Sequence, residues 1–305
     1  MSALLLLPLF NNKINTRADA MTNRTVQDVF PAQRDDIADL HTWRALPTSK
    51  IDMVDPFLFL NHHGHQVYPQ HNRGLPFGPH PHRGFETVTF ILEGDIAHRD
   101  TGGHESVIGG GGVQWMTAGS GLIHSETSSD QFKQHGGPME ILQLWVNLPA
   151  RLKMTQPAYR GLQGDEIPTL QDAGGARVHL VSGEWNGQRG PFKPLLDIAT
   201  MWIELDAGQQ FSTTIAAERA IFFYVVRGSV EVNGRDVAMR HLATFGADGD
   251  TLQITATEDA LVLLCHAEPL GEPVVSHGPF VMNTVEEIHQ AIADYQAGKF
   301  NASPL

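Results

Sequence analysis

Cysteine is almost missing from this chain: Cys265 stands alone among 305 residues. No intrachain disulfide can form, and the composition suits a reducing, cytoplasmic compartment. Positive charge is also scarce. Lys and Arg number 21 against 34 Asp and Glu, a formal net charge of -13, and no Lys/Arg-rich run offsets it. A general affinity for phosphate backbones or anionic membrane surfaces is disfavoured, so no direct nucleic-acid partner is expected. Long apolar runs are absent too: nothing approaches the roughly 20 residues needed to span a bilayer, so no membrane association is expected. The apolar run 4–10 and the triplet Ala18-Asp19-Ala20 have the outline of an export signal. However, no positive charge precedes the run, and residues 11–17 separate it from the triplet. Met21 offers an alternative start.

What the chain has in quantity is glycine, histidine and short β-patterned runs. The hydrophobic share of 41% and charged share of 18% are those of a globular protein. The length accommodates two domains of roughly 100 to 200 residues each. Runs at 85–93, 96–100, 104–108, 113–117, 122–127 and 139–148 alternate with glycine-rich breaks, which predicts an antiparallel barrel or sandwich. The break at 109–112 is four glycines, but no Lys-Ser/Thr follows it, so it is a poor phosphate loop. Residues 149–177 lapse into polar, proline-containing text and read as a domain connection. A second β-rich series follows at 177–182, 201–206, 221–227, 230–232, 251–255 and 260–267. The domains are therefore drawn at 21–149 and 150–305. Near the end, Thr284-Val-Glu-Glu287 is a capping box, with Ile288, Ala291, Ile292 and Tyr295 at helical spacing and Gly298 as a stop. One short C-terminal helix is predicted.

The two halves read as a diverged repeat, since Phe90-Ile-Leu-Glu-Gly94 matches Tyr224-Val-Val-Arg-Gly228. Aligning those glycines carries His80, His82 and Glu86 onto Thr214, Ala216 and Ala220, so the second half has lost its ligand-type residues. One metal per chain is predicted.

That metal expectation rests on two short pairs, His80-Pro81-His82 and His124-Ser125-Glu126. Side chains two apart on a strand share a face, so two such pairs inside a barrel aim at one point. Glu86 competes with Glu126 for the carboxylate role, because a strand running on through Gly84 would set it on the histidines' face. The remaining histidines, His98 and His104 among them, are read as surface or core residues. His62, His63, His65 and His71 lie in loop-like text and are read as lining a pocket entrance. Phe77, Phe85, Trp115 and Met116 are read as barrel core, with Phe85 facing away from the histidines.

Three stretches, Phe77-Gly-Pro-His-Pro-His-Arg-Gly-Phe-Glu-Thr-Val-Thr-Phe-Ile-Leu-Glu-Gly94, Gln114-Trp-Met-Thr-Ala-Gly-Ser-Gly-Leu-Ile-His-Ser-Glu126 and Leu144-Trp-Val-Asn-Leu-Pro149, resemble signatures of the pirin family. The tail Gly278-Pro-Phe-Val-Met-Asn-Thr284 resembles its C-terminal segment. The resemblance implies an all-β bicupin, two antiparallel jelly-roll barrels, with iron in the first barrel alone. The ligands it implies are His80, His82, His124 and Glu126, with Glu86 standing behind them. The donor types serve one divalent ion, Fe(II) by the resemblance, with Mn, Co, Ni, Cu or Zn chemically admissible.

The family is known for quercetin 2,3-dioxygenase activity, which implies a small phenolic substrate and O2. On that reading Glu126 is also catalytic, accepting the proton of the substrate's enol as general base. Two other functions stay open: a redox-responsive iron protein that regulates a protein partner, and a metal-dependent isomerase.

Overall fold

A computed structural model describes residues 22–301; the apolar run 4–10, the triplet at 18–20 and Met21 lie outside the described residues. Short alternating strands bury one face each, and the chain satisfies them with two antiparallel barrels built to one plan. In the first, a seven-stranded sheet runs Ala158–Leu162, Val113–Thr117, Phe85–Glu93, Gly137–Asn147, Phe57–Tyr68, Thr42–Leu46 and Gln33–Arg34. It closes against a four-stranded sheet of Phe77–His82, Leu122–Thr127, Asp95–Asp100 and Glu105–Gly109.

The second barrel repeats the arrangement. Its larger sheet is Val26–Pro31, His241–Phe245, Ala220–Arg227, Ala260–Ala267, Ile198–Leu205, Arg177–Ser182 and Thr169–Gln171; its smaller one is Gln210–Thr214, Thr251–Ala256, Ser229–Val232 and Arg235–Ala238. Gly94 and Gly228 follow equivalent strands, as the repeat requires.

The halves exchange edges. Val26–Pro31, from the start of the chain, pairs with His241–Phe245 of the second barrel, while Ala158–Leu162, beyond residue 149, pairs with Val113–Thr117 of the first. The two large sheets then pack face to face. Val88, Phe90, Leu142 and Leu144 from one half share a core with Phe222, Tyr224, Leu263 and Cys265 from the other. The second barrel's interior is filled by apolar side chains, Phe211, Ile221, Phe223, Val225, Leu252 and Ile254 among them.

Residues 62–68 correct the loop reading. They belong to the 12-residue strand Phe57–Tyr68, whose inward histidines mask its alternation. His62 is buried between the barrels, where Nε2 donates to Glu140 (3.0 Å) and Nδ1 meets the Tyr224 hydroxyl (3.1 Å). His63 is buried on the other face beside Thr42. The connecting segment is also more ordered than its composition suggests. After its edge strand it forms a single turn, Gly164–Glu166, packed on the glycine run: a Cβ on Gly164 would come 3.0 Å from the Gly110 carbonyl oxygen. Those glycines permit close backbone approach.

Two helices complete the fold. Asp130–His135, which no sequence signal singled out, is capped by Ser129 and buries Phe132. Val285–Gln296 carries the expected capping box between Thr284 and Glu287 and buries Ile288 and Ala291 against Phe280, Met282 and Phe300. Arg83 pins this helix to the first barrel through Asp294 (2.8 Å) and the Ser120 carbonyl (2.7 Å). Among the described residues, no helix is long and apolar enough to cross a membrane.

Candidate metal centre

The centre is a product of strand register in the first barrel's four-stranded sheet. Strand Leu122–Thr127 lies between Phe77–His82 and Asp95–Asp100, with His124 opposite His80 on one side and opposite Asp100 on the other. Glu126 sits across from His98. The rings of His80 and His124 are 4.3 Å apart, those of His82 and His124 5.0 Å, and those of His80 and His82 4.9 Å.

The four residues expected from sequence do not form one undivided cluster. His80, His82 and His124 offer ligand atoms within 4.8 Å of one another, and His98, His124 and Glu126 do the same, with His124 common to both. Thus Glu126 is drawn to the trio through His124, and His98, read from sequence as a bystander, lies in the site. An available signal was the His98-x-Asp100 spacing on one strand face. What the sequence could not supply was the register that sets His98 against Glu126.

Hydrogen bonds orient the imidazoles. Nδ1 of His80 donates to the Gly78 carbonyl (2.8 Å) and Nδ1 of His82 to the Pro279 carbonyl (3.3 Å), leaving each Nε2 free as a lone-pair donor. His124 is 1% exposed, and neither of its ring nitrogens has a hydrogen-bond partner among the described residues. Burial, with the neighbouring His80 adding to it, pushes His82 down to about 3. Burial and the surrounding imidazoles push His124 well down as well. Both are therefore neutral at pH 7, the state in which imidazole binds metal. Glu126 is buried, and its two oxygens accept from Gln143 (2.6 Å) and Thr89 (3.2 Å) on the opposing sheet.

Glu86 is elsewhere. Gly84, at φ +90°, turns the chain sharply, and a Cβ there would collide with the Val281 carbonyl oxygen at 2.0 Å. His80 and His82 end one strand, whereas Glu86 lies on the next, Phe85–Glu93, in the other sheet. The alternation carried through Gly84 is thus reversed. Glu86 shares its face with Val88 and Phe90, which pack into the core between the barrels. Phe85, expected to face away, instead packs on His82 at 5.1 Å, and Trp145 approaches the same ring at 5.2 Å. Trp145 and Phe59 also line a cavity of about 550 Å³ bounded by Arg44, Leu58, Ser276 and Val281.

Burial pushes the Glu86 carboxyl up to about 7, against the pull of a 2.6 Å hydrogen bond from Thr117. A folded-state value above the unfolded one favours the protonated form, so this group's contribution is intact below pH about 4.5 and is lost as pH rises through 7. Glu86→Gln is therefore expected to raise stability by on the order of 2 kcal/mol at pH 8 and to change it little at pH 4, by urea titration. Metal content should be unchanged. Equal destabilisation at both pH values, or lost metal, would contradict this placement.

In the second barrel the residues equivalent to the facing pair His80 and His124 are Thr214 and Thr251, themselves a facing pair. Neither is a metal-binding type, and the described residues hold no further cluster of three or more potential ligands.

Comparison with known proteins agrees with this architecture. A family model described as Pirin matches residues 39–146, and one described as Pirin C-terminal cupin domain matches residues 200–301. A pirin-like protein of Caulobacter vibrioides is 42% identical over 267 residues, covering 87% of this chain and 94% of its own. The crystal structure of a quercetin 2,3-dioxygenase from Acinetobacter baumannii superposes with a TM-score of 0.85 at 32% identity, covering 92% of this chain and 99% of that one. The bacterial pirin YhhW from Escherichia coli, solved in complex with nickel(II), shares the fold with a TM-score of 0.63 at 24% identity, over 79% of this chain and all of its own.

Proposed function

This chain belongs to the pirin family, and we propose on that footing that it is a metal-dependent dioxygenase opening flavonol-like phenolics with O2. One divalent ion, iron(II), is held by His80, His82, His124 and Glu126. The observation that carries the reading is His124: a buried imidazole lying among three others, with neither nitrogen partnered among the described residues. A buried polar group without a partner costs free energy, and a ligand-competent one beside two oriented histidines answers to a metal.

The residues fit the ion. Three imidazoles and a carboxyl group suit first-row divalent metals, and the fixed Nδ1 contacts of His80 and His82 present Nε2 to the centre. When bound, the ion supplies Lewis acidity that lowers the pKa of an enol or phenol hydroxyl. Glu126 accepts the hydroxyl proton, its carboxylate held in place by Gln143 and Thr89. Phe85 and Trp145 wall the site beside His82 and keep bulk water from the electron-rich enolate. That enolate reacts with O2, and the central ring opens with loss of carbon monoxide. The substrate class is supported by the Acinetobacter relative named a quercetin 2,3-dioxygenase. The single, buried Cys265 is consistent with a cytoplasmic protein.

The test is oxygen consumption with quercetin by iron-loaded protein, wild type beside Glu126→Gln. Uptake matched to quercetin loss is expected in the wild type, with a rate at least about 100-fold lower in the variant, the usual scale for a general base. Bound iron with no uptake in the wild type would favour the redox-responsive regulator of a protein partner.

A further inference from the structure

His98 is held on one ring face and at one ring nitrogen. Its ring stacks on Tyr159 at 3.9 Å with 9° between the planes, and Tyr159 is itself held through its hydroxyl by Ser106 (2.5 Å). Nε2 donates to Asp100 Oδ2 at 3.0 Å. Asp100 is fixed in turn by the His104 backbone N–H and the His104 ring, each at 3.1 Å. A carboxylate only accepts hydrogen bonds, so this contact places a proton on His98 Nε2, and in the neutral ring the lone pair is then on Nδ1. His98 is 1% exposed, and Nδ1 has no partner among the described residues. The ring lies 5.5 Å from that of His124, and a ligand-competent atom lies within 4.8 Å of both His124 and Glu126.

We propose that His98 is a positioning residue for the substrate: its Nδ1 accepts a hydrogen bond from a hydroxyl of the phenolic bound beside His124 and Glu126, with Asp100 fixing the tautomer and Tyr159 the ring plane. This rests on the dioxygenase reading. A buried acceptor without a donor is a cost that an incoming O–H removes, so the contact favours hydroxylated ligands over those lacking the group. His98 transfers no proton in this role. Its partners come from three places in the chain: Asp100 from the same strand, Ser106 from the neighbouring one, and Tyr159 from the edge strand lent by the connecting segment.

The experiment compares wild type, His98→Asn and His98→Phe, each loaded with iron(II) under argon. Asparagine keeps an acceptor near the Nδ1 position; phenylalanine keeps the stack on Tyr159 without one. Metal content is measured, and quercetin is titrated without oxygen by its visible absorption, so no turnover is needed. Expected are equal metal content in all three, at least tenfold weaker quercetin binding in His98→Phe, and binding within about threefold of wild type in His98→Asn. In the presence of oxygen, His98→Phe should raise KM more than it lowers kcat. Nitrogen-15 NMR of the wild-type imidazoles should show His98 protonated at Nε2.

Unchanged quercetin affinity in His98→Phe would overturn the proposal while leaving the dioxygenase reading intact. Loss of metal in His98→Phe would overturn it differently, by making His98 a ligand. A wild type that binds no quercetin would remove the function reading and this proposal with it.

Discussion

Replacing His124 by alanine is expected to lower bound iron from about one ion per chain to under a tenth of that, and to abolish oxygen uptake with it. The size of the effect follows from position. His124 is shared by both clusters, so its loss leaves His80 and His82 as an isolated pair and Glu126 with His98 alone. Loss of even a residue hydrogen-bonded to a ligand typically costs 10- to 100-fold in metal affinity, and removing the imidazole common to both clusters should exceed that. The fold should survive, because an imidazole whose nitrogens have no hydrogen-bond partner among the described residues contributes little to the apo protein. Circular dichroism and the urea midpoint of metal-free wild type and variant should therefore agree closely. His179→Ala, in the second barrel, should keep its metal. Retention of a full ion in His124→Ala would move the centre elsewhere.

Lys153→Met should produce the largest loss of stability, on the order of 3 to 5 kcal/mol, with an apparent thermal midpoint lowered by roughly 10 °C. Lys153 is 1% exposed, and burial pushes its ammonium down to about 8 although Glu272 and Glu287 oppose the shift. Its Nζ donates to Asn147 Oδ1 (2.6 Å), the Gly84 carbonyl (2.9 Å) and the Val281 carbonyl (3.0 Å). These acceptors belong to the kink after His82, the end of Gly137–Asn147, and the C-terminal hairpin strand Phe280–Met282. Methionine matches the length of the stem but leaves three buried acceptors without a donor. Because the Pro279 carbonyl that orients His82 is two residues from Val281, weaker metal retention should accompany the lost stability. An unchanged midpoint would mean that water replaces the ammonium at no cost, and that the joint does not depend on Lys153.

Much of this architecture was legible where local pattern and tertiary environment agree. Strands Phe85–Glu93, Val113–Thr117, Leu122–Thr127, Arg177–Ser182 and Ala260–Ala267 coincide with runs bounded by glycine or by charged turns. The capping box placed the C-terminal helix. Where a strand is polar on an inward face the pattern disappears, as in Phe57–Tyr68, whose Asn61, His62 and His63 are all buried. The exchanged strand Val26–Pro31 was missed because nothing local reveals an edge more than 200 residues away in the chain.

At the site, spacing brought forward His80, His82, His124 and Glu126, since pairs two apart on a strand carry their own geometry, but it left Glu86 competing with Glu126, and only the family resemblance favoured Glu126. Glu86 was misplaced because one glycine at positive φ separates two sheets, and a period-2 pattern carried through it inverts. His98 stayed invisible for the opposite reason. It becomes significant only through the cross-strand register with Glu126 and the stack on Tyr159, neither of which is encoded nearby.

The most direct test of the central claim, one metal centre in the first barrel, is a crystal structure of iron-loaded protein with data collected on both sides of the iron absorption edge. A single anomalous peak per chain is expected, bounded by His80, His82, His124 and Glu126, with none in the second barrel near Thr214 and Thr251. A peak coordinated by Glu86, a second peak in the other barrel, or iron bound at the His62–Glu140 contact between the barrels would contradict it.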